Sequence, residues 1–351
     1  MKTPVVMIML LLGGSALAES RLEPSGAAEN EALRGNVLVW SDATFYTEPS
    51  DAGQALHVAK LAATRKDSVG EVVPMHVVSA GKDFVEVELA SERDCTWSRL
   101  ETTDDLARVR LFVRRADLAP VLAAPFATTF PDGTSIALRP GVALVPTAEN
   151  TYVIAMRGAE IAVALPASAV GHAYVPDRAK PVTSLDEREY ELQPHTPVKL
   201  AGRTFQLAGR AGSIERRGDT TLFAMHAGCV ALEVAAPSKA VREVEADDDD
   251  GDDASGLGVL DLRDHDYIPA GTMLSSAGGH TIAVAARPIY LMGRPHGKTA
   301  CVERRMRVAV AGGEALDPDG DEPKLRLCVA SSAVVHERMR SASSASGTTS
   351  R

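Results

Sequence analysis

Aromatic residues are scarce in this sequence: Phe, Trp and Tyr make up 4% of the chain, whereas hydrophobic residues make up 45%. A packed core must therefore be built mainly from Val, Leu, Ile and Ala. Positive charge is also in deficit, since 37 Lys and Arg stand against 47 Asp and Glu. The net charge of −10 repels phosphate backbones and anionic lipid, which argues against nucleic acid or a membrane surface as the partner.

The common local catalytic motifs are missing. The mature chain has no HExxH, no GxSxG elbow, no phosphate-binding loop and no dinucleotide fingerprint. Two weak alternatives are an S-x-x-K match at Ser79–Lys82, which lies on a predicted hairpin turn, and His226 close to Cys229, where the imidazole could activate the thiol. A hydrolase whose site is assembled from distant strands stays open as an alternative to a non-catalytic protein.

Long hydrophobic runs are absent after the first residues. Met1–Ala18 has a positive charge at Lys2, an apolar core over Val5–Leu12 and the small-x-small end Ala16–Ala18, which predicts a signal peptide. The apolar core is shorter than the roughly 20 residues that a membrane-spanning helix needs. The sequence therefore predicts a periplasmic or secreted protein.

Cysteines are few, and in an exported protein four of them favour disulfides over catalysis. Cys301 and Cys328 lie on segments that can pair as neighbouring strands, so we predict a bridge between them. Cys95 and Cys229 would then pair across modules or stay reduced, and the sequence does not choose among the three connectivities.

What the sequence does contain is a repeated ending: apolar residues at alternate positions, then small or polar residues, then a branched aliphatic. Alternation with a period of two predicts antiparallel strands with one face on a core. The predicted unit is a final strand, a tight turn and a hydrophobic plug. The four copies are Val109–Leu118, Ile161–Val170, Val230–Val241 and Leu325–Val334.

These repeats, with Gly and Pro spread along the chain, predict an all-β protein of several small antiparallel barrels in tandem. We refer to its modules by number throughout. The expected divisions are a signal peptide (1–18), a flexible leader (19–35), the first module (36–122), the second (123–180), the third (181–245), an acidic linker (246–258), the fourth module (259–337) and a disordered tail (338–351).

The ending Phe112-Val113 followed by Leu118, preceded by an apolar strand and a central hairpin, resembles the bacterial SH3-like (SH3b-type) domain. The fourth module matches the same pattern with Val329 and Val334. The resemblance implies small SH3-like barrels, in which aromatic side chains beside the first loop can form a shallow groove for an extended peptide. The speculative ligand-binding group is Trp40, Phe45, Tyr46 and Trp97, with core filling as the competing interpretation.

Functionally, these features favour an exported, non-catalytic binding or scaffold protein of the bacterial cell envelope that engages a protein or a peptidoglycan component. A purely structural envelope part is a further alternative. We expect no cofactor. Weak calcium binding is considered at Asp317, Asp319 and Asp321, although their spacing does not fit an EF-hand loop.

Overall fold

The computed structural model describes residues 26–40, 42–57, 72–89, 98–156, 159–176, 188–200, 202–211, 214–227, 229–245, 265–292, 297–310 and 323–337. These residues form strands joined by turns and short 3₁₀ segments, so the predicted all-β class is confirmed.

The described residues contain thirty strands, most of them shorter than ten residues. In chain order they are β1 (Asn36–Trp40), β2 (Thr44–Tyr46), β3 (Ala55–His57), β4 (Val72–Ala80), β5 (Phe84–Leu89), β6 (Ser98–Thr102), β7 (Leu106–Ala107), β8 (Arg110–Arg114), β9 (Leu118–Ala119), β10 (Val121–Leu122), β11 (Phe126–Thr129), β12 (Ser135–Leu138), β13 (Val145–Ala148), β14 (Thr151–Met156), β15 (Ala159–Ala164), β16 (Val170–Gly171), β17 (Ala173–Tyr174), β18 (Arg188–Leu200), β19 (Arg203–Ala211), β20 (Ile214–Arg217), β21 (Thr220–Ala227), β22 (Val230–Pro237), β23 (Val241–Glu245), β24 (His265–Ile268), β25 (Met273–Ser275), β26 (Thr281–Ala285), β27 (Ile289–Tyr290), β28 (Thr299–Val310), β29 (Lys324–Ala330) and β30 (Val335–Glu337).

The four-fold repeated ending is confirmed. Each copy is a strand followed by a three-residue 3₁₀ turn, and the backbone N–H of the next residue, the predicted plug, donates to the carbonyl of the first turn residue. Three plugs, Leu118, Val241 and Val334, are buried, and Val170 is half-buried. The turns are Arg115–Asp117, Ala167–Ala169, Ser238–Ala240 and Ser331–Ala333.

The first module is a curled sheet built around β1. This strand pairs with β4 on one edge and with β9 and β17 on the other, while β4, β5 and β8 follow as an antiparallel meander. The β2–β3 hairpin then adds to the far edge of β8. The predicted hairpin around residues 80–82 is the β4–β5 connection.

The first module contributes two strands to the fourth. Two short strands that precede β8 in the sequence leave the first sheet: β6 pairs with β28 and β7 pairs with β26. Apolar side chains of both modules form one continuous core, in which Val37, Leu111, Leu274 and Leu327 are almost fully buried. The start and the end of the described chain are therefore held in one packed unit.

Polar side chains fasten the same two modules. The side-chain amide of Gln54 donates to the carbonyl of Lys324 at 2.8 Å and accepts from the N–H of Arg326 at 3.2 Å. It thus hydrogen-bonds to the backbone of β29 as a neighbouring strand would. Asp105 accepts from Nε of Arg304 at 2.8 Å, and both side chains are mostly buried. The predicted Cys301–Cys328 bridge is confirmed across directly paired positions of β28 and β29, with a Cα–Cα distance of 4.1 Å.

The second and third modules are joined in the same way. The β11–β12 hairpin of the second module pairs through β12 with β22 of the third. One core again runs through both modules and includes Ile136, Ile154, Val198 and Phe223. The four modules are thus nested, with the outer two and the inner two each forming a pair.

A separate apolar cluster joins the first module to the second. Leu38 and Ala119 pack with Val121 and Tyr174, and each of these side chains exposes 2% or less of its surface. Strand β10 lies just before the boundary expected at residue 122, yet it pairs with β16, so we count it as the first strand of the second module.

Residues 26–35, part of the segment expected to be a flexible leader, lie against the first module. Arg115 is buried in the first 3₁₀ turn, and its guanidinium donates to the carbonyls of Gly81, Ala28 and Glu31. The N–H of Ala27 donates back to the carbonyl of Arg115. A buried guanidinium satisfied in this way fixes the path of the chain into β1.

Gly35 directly precedes β1 in a conformation that only glycine adopts freely, and it touches the second module. Its φ is +85°, and a Cβ there would lie 2.3 Å from the carbonyl oxygen of Tyr174. We expect Gly35→Ala to lower the free energy of unfolding by about 3 kcal/mol or more, because backbone must move in addition to the left-handed strain. The measurement is denaturant unfolding of the purified protein.

The control is Gly133→Ala. Gly133 has a nearly equal φ of +82° but open space around it, so this variant should lose only about 1–2 kcal/mol. Equal losses for the two variants would contradict the close contact between β1 and β17.

Candidate binding surface on the second and third modules

The aromatic group predicted to bind a ligand is largely enclosed. Trp40 and Tyr46 each expose 9% of their surface and Phe45 exposes none, while Trp97 lies outside the described residues. The ring of Tyr46 packs edge-on against Phe84, with centroids 5.6 Å apart. The ligand-binding role of this group stays a prediction. The three described rings are buried and present no exposed face to a ligand.

The separation of these rings has a simple geometric cause. Phe45 points from β2 into the core shared by the first and fourth modules, whereas Trp40 points from β1 into the cluster against the second module. The two rings therefore lie in different cores. Phe112 fits the alternating pattern of β8, because it is half-buried between two buried neighbours. The centroid of its ring lies 6.1 Å from that of His280 in the fourth module.

The local motifs considered for catalysis or metal binding have other partners or lie outside the described residues. Ser79 donates its hydroxyl hydrogen bond to Glu86, and the ammonium of Lys82 pairs with Glu29. Cys229 is disulfide-bonded. Asp317, Asp319 and Asp321 lie outside the described residues, as does Cys95, and the ranges that the structure describes contain no group of three or more metal-ligating side chains.

An open groove of about 520 Å³ lies on the outer face of the sheet that joins the second and third modules. Its floor consists of small side chains that alternate with buried core residues, such as Ala137 between Ile136 and Leu138 on β12. Glu233, exposed on β22, brings a negative charge to the lining. The small side chains that lie beside one another on this face are Ala127, Thr129, Ser135, Ala137, Ala224 and Ala231.

Strand β11 forms an edge of this sheet. The N–H of Phe130 donates to the carbonyl of Thr134. Hydrogen-bonded and non-hydrogen-bonded pairs alternate along an antiparallel ladder, so Thr128 and Phe126 also direct their backbone groups toward β12. Ala127 and Thr129 therefore direct their N–H and C=O groups away from β12, to an edge where β11 pairs with no other described strand.

The tip of the β11–β12 hairpin is anchored to the third module. One carboxylate oxygen of Asp132 accepts from the N–H and the hydroxyl of Thr134, and the other accepts from the N–H of Gly202 at 2.6 Å. These hydrogen bonds, the Thr134 hydroxyl first, lower the pKa of Asp132 below its ordinary value. The anchor fixes the hairpin at the β18–β19 turn and so supports the groove.

The segment PDGTSIAL has the pattern of a strand, a turn and a strand, but nothing in it marks a binding site. Its turn signal, Asp132-Gly133, locates the hairpin in the chain. Pairing of β12 with β22 brings together residues about a hundred positions apart, and no local pattern encodes that contact. The one local feature that points to the groove is the run of small residues on the outer face, since strands with Ala, Thr and Ser on that side leave a shallow surface.

Comparisons of this chain with protein-family models, with curated proteins and with solved structures found no match. In the described ranges, no helix is long and apolar enough to cross a membrane.

Acid should weaken the Asp132 anchor. A carboxylate with a lowered pKa contributes stability that is fully present above the ordinary pKa of about 4 and is lost as the pH falls through the lowered value. We expect Asp132→Asn to melt below the wild type at pH 7, and the two melting temperatures to converge on acidification to about pH 2. Thermal unfolding followed by circular dichroism checks this.

Asp219→Asn is the matched control, because it removes another turn carboxylate, between β20 and β21. A Tm gap between wild type and Asp132→Asn that stays constant with pH would refute the role of the charged form.

Proposed function

We propose that this chain is a non-catalytic binding protein of the bacterial cell envelope that holds an extended polypeptide on the free edge of β11, beside the groove. The observation that carries the proposal is the outward direction of the Ala127 and Thr129 backbone groups beside an open groove. Edge strands with unsatisfied N–H and C=O groups bind extended peptides by adding them to the sheet.

Export is supported by two features. The first 18 residues have the charge, apolar core and small-residue end of a signal peptide. The Cys301–Cys328 disulfide fits a protein that folds in an oxidising compartment, such as the periplasm or the exterior.

The SH3-like assignment is supported by the topology of the first module. Strands β1, β4, β5 and β8 follow one another, a 3₁₀ turn precedes the last strand β9, and β9 returns to pair with β1. The β2–β3 hairpin occupies the long first loop between β1 and β4. We propose the same module type for the fourth module, where β24, β27 and β30 repeat the pairing of β1, β4 and β9.

The groove indicates what kind of segment would bind. Small side chains on the floor leave space for side chains of the partner, while backbone hydrogen bonds at the edge supply affinity with little sequence preference. Glu233 gives this face of the sheet a negative charge, which favours a segment that carries basic side chains. An envelope protein with an extended basic segment fits both features, and peptidoglycan is the competing cell-wall ligand.

The proposal is tested by Ala127→Pro. Proline removes an N–H that points away from β12, so edge pairing with a ligand is blocked while the hairpin keeps its own hydrogen bonds. We expect the variant to fold with an unchanged Tm and to bind its envelope partner at least about tenfold more weakly. Crosslinking from a photoreactive residue at Thr129, followed by mass spectrometry, identifies the partner in envelope extracts.

Ala127→Val is the control, because it keeps the N–H and adds similar bulk. Equal crosslinking by the proline and valine variants would count against edge pairing. Sedimentation with purified peptidoglycan, unchanged by Ala127→Pro, would instead assign the binding to a cell-wall component elsewhere on the molecule.

A further inference from the structure

An exposed apolar face lies on the fourth module, far in sequence from the groove. It belongs to the three-stranded sheet in which β24 lies between β27 and β30, and Tyr267 is directly opposite both Tyr290 and Val335. Tyr290 exposes 47% of its surface, Val335 39% and Met292, two residues after Tyr290, is fully exposed. The two tyrosine rings are 5.8 Å apart. We call Tyr267, Tyr290 and Val335 the tyrosine face.

The fold gives this face an exact counterpart in each of the other modules. In every module, the residue after the plug lies on the last strand and pairs with a residue of the first strand. The pairs are Ala119 with Leu38, Gly171 with Val121, Arg242 with Glu191, and Val335 with Tyr267. These four equivalent pairs differ in whether the face is buried or exposed, and in whether it is apolar or charged.

In the first and second modules these positions hold apolar or small residues, and the two faces meet. Leu38, Ala119 and Val121 are completely buried in one shared cluster. This packing of one face on another joins the first module to the second, together with the pairing of β1 with β17. The face is therefore a docking surface in two of the four modules.

In the third module the same positions carry charge. Glu191 and Arg242 form an ion pair across the two strands, and the arginine side chain is 62% exposed. An ion pair on a solvated face needs no apolar cover. The fourth module has neither solution: its equivalent residues are aromatic and aliphatic, yet Val335 is exposed and Tyr267 is only half-buried.

We propose that the tyrosine face docks on the tyrosine face of a second copy of this chain, about a two-fold axis, as the faces of the first and second modules dock within one chain. The other apolar faces of this type are already buried in the described residues, so a second copy offers the tyrosine face itself as the matching surface. A two-fold axis brings each Tyr267–Val335 pair against the same pair of the other copy.

The expected dimer is weak. Three strands offer a small area, and interfaces below about 1,200 Å² belong to transient complexes. The fraction of dimer should therefore change with protein concentration between about 1 µM and about 1 mM. This self-association is a separate property from the peptide binding proposed at β11.

The test uses a double substitution that the chain itself suggests. Tyr267→Glu with Val335→Arg recreates, in the fourth module, the ion pair that the third module carries at the same positions. This variant should fold, and its dissociation constant should rise at least about tenfold. The measurement is analytical ultracentrifugation of the full mature chain over that concentration range, with circular dichroism melting to confirm folding.

Val175→Arg is the control, since it places charge on a residue that is 70% exposed in the second module; it should dimerise like the wild type. If the double variant is unfolded, Tyr290→Ser provides a milder change on the same face. A wild type that stays monomeric at every concentration overturns the proposal, as does a dimer unaffected by the folded face variants. Dimerisation unchanged by Ala127→Pro separates this surface from the groove.

Discussion

Burial of apolar sheet surface shared between modules is the constraint on which this structure depends. A module of about 60 residues removes only about 60% of its surface from water when it folds alone, which leaves it marginal. Because aromatic side chains are few, each module also has few large apolar side chains with which to build a core of its own. Joining two modules around one core gives both a larger interior, and this occurs twice in the molecule.

The nested order of the pairs follows from which strands pair across modules. The first module contributes β6 and β7 to the fourth, and the second contributes the β11–β12 hairpin to the third. The outer pair thus connects the two ends of the described chain, while the inner pair connects consecutive modules. Hairpin tips reinforce each pair, since Asp132 binds Gly202 in one, and Glu48 lies against Ser276 and Gly278 in the other.

One recurring sheet face has three different uses in the same chain. It is apolar and buried where the first two modules meet, charged and solvated in the third module, and aromatic and exposed in the fourth. Similar backbones therefore carry different surfaces because the residue after each plug differs. Arg242 and Val335 occupy equivalent positions and give opposite properties to the two faces.

The sequence by itself determined the strands, the tight turns and the buried plugs, because alternation and turn chemistry act over a few neighbouring residues. It also indicated the Cys301–Cys328 bridge, since both cysteines lie in one module on segments that pair directly. Only the tertiary structure decided which module each hairpin joins, and hence that Trp40 and Phe45 lie in separate cores while β11 has a free edge. Those outcomes depend on contacts between residues far apart in the chain, and the short-range pattern is the same whichever module a strand pairs with.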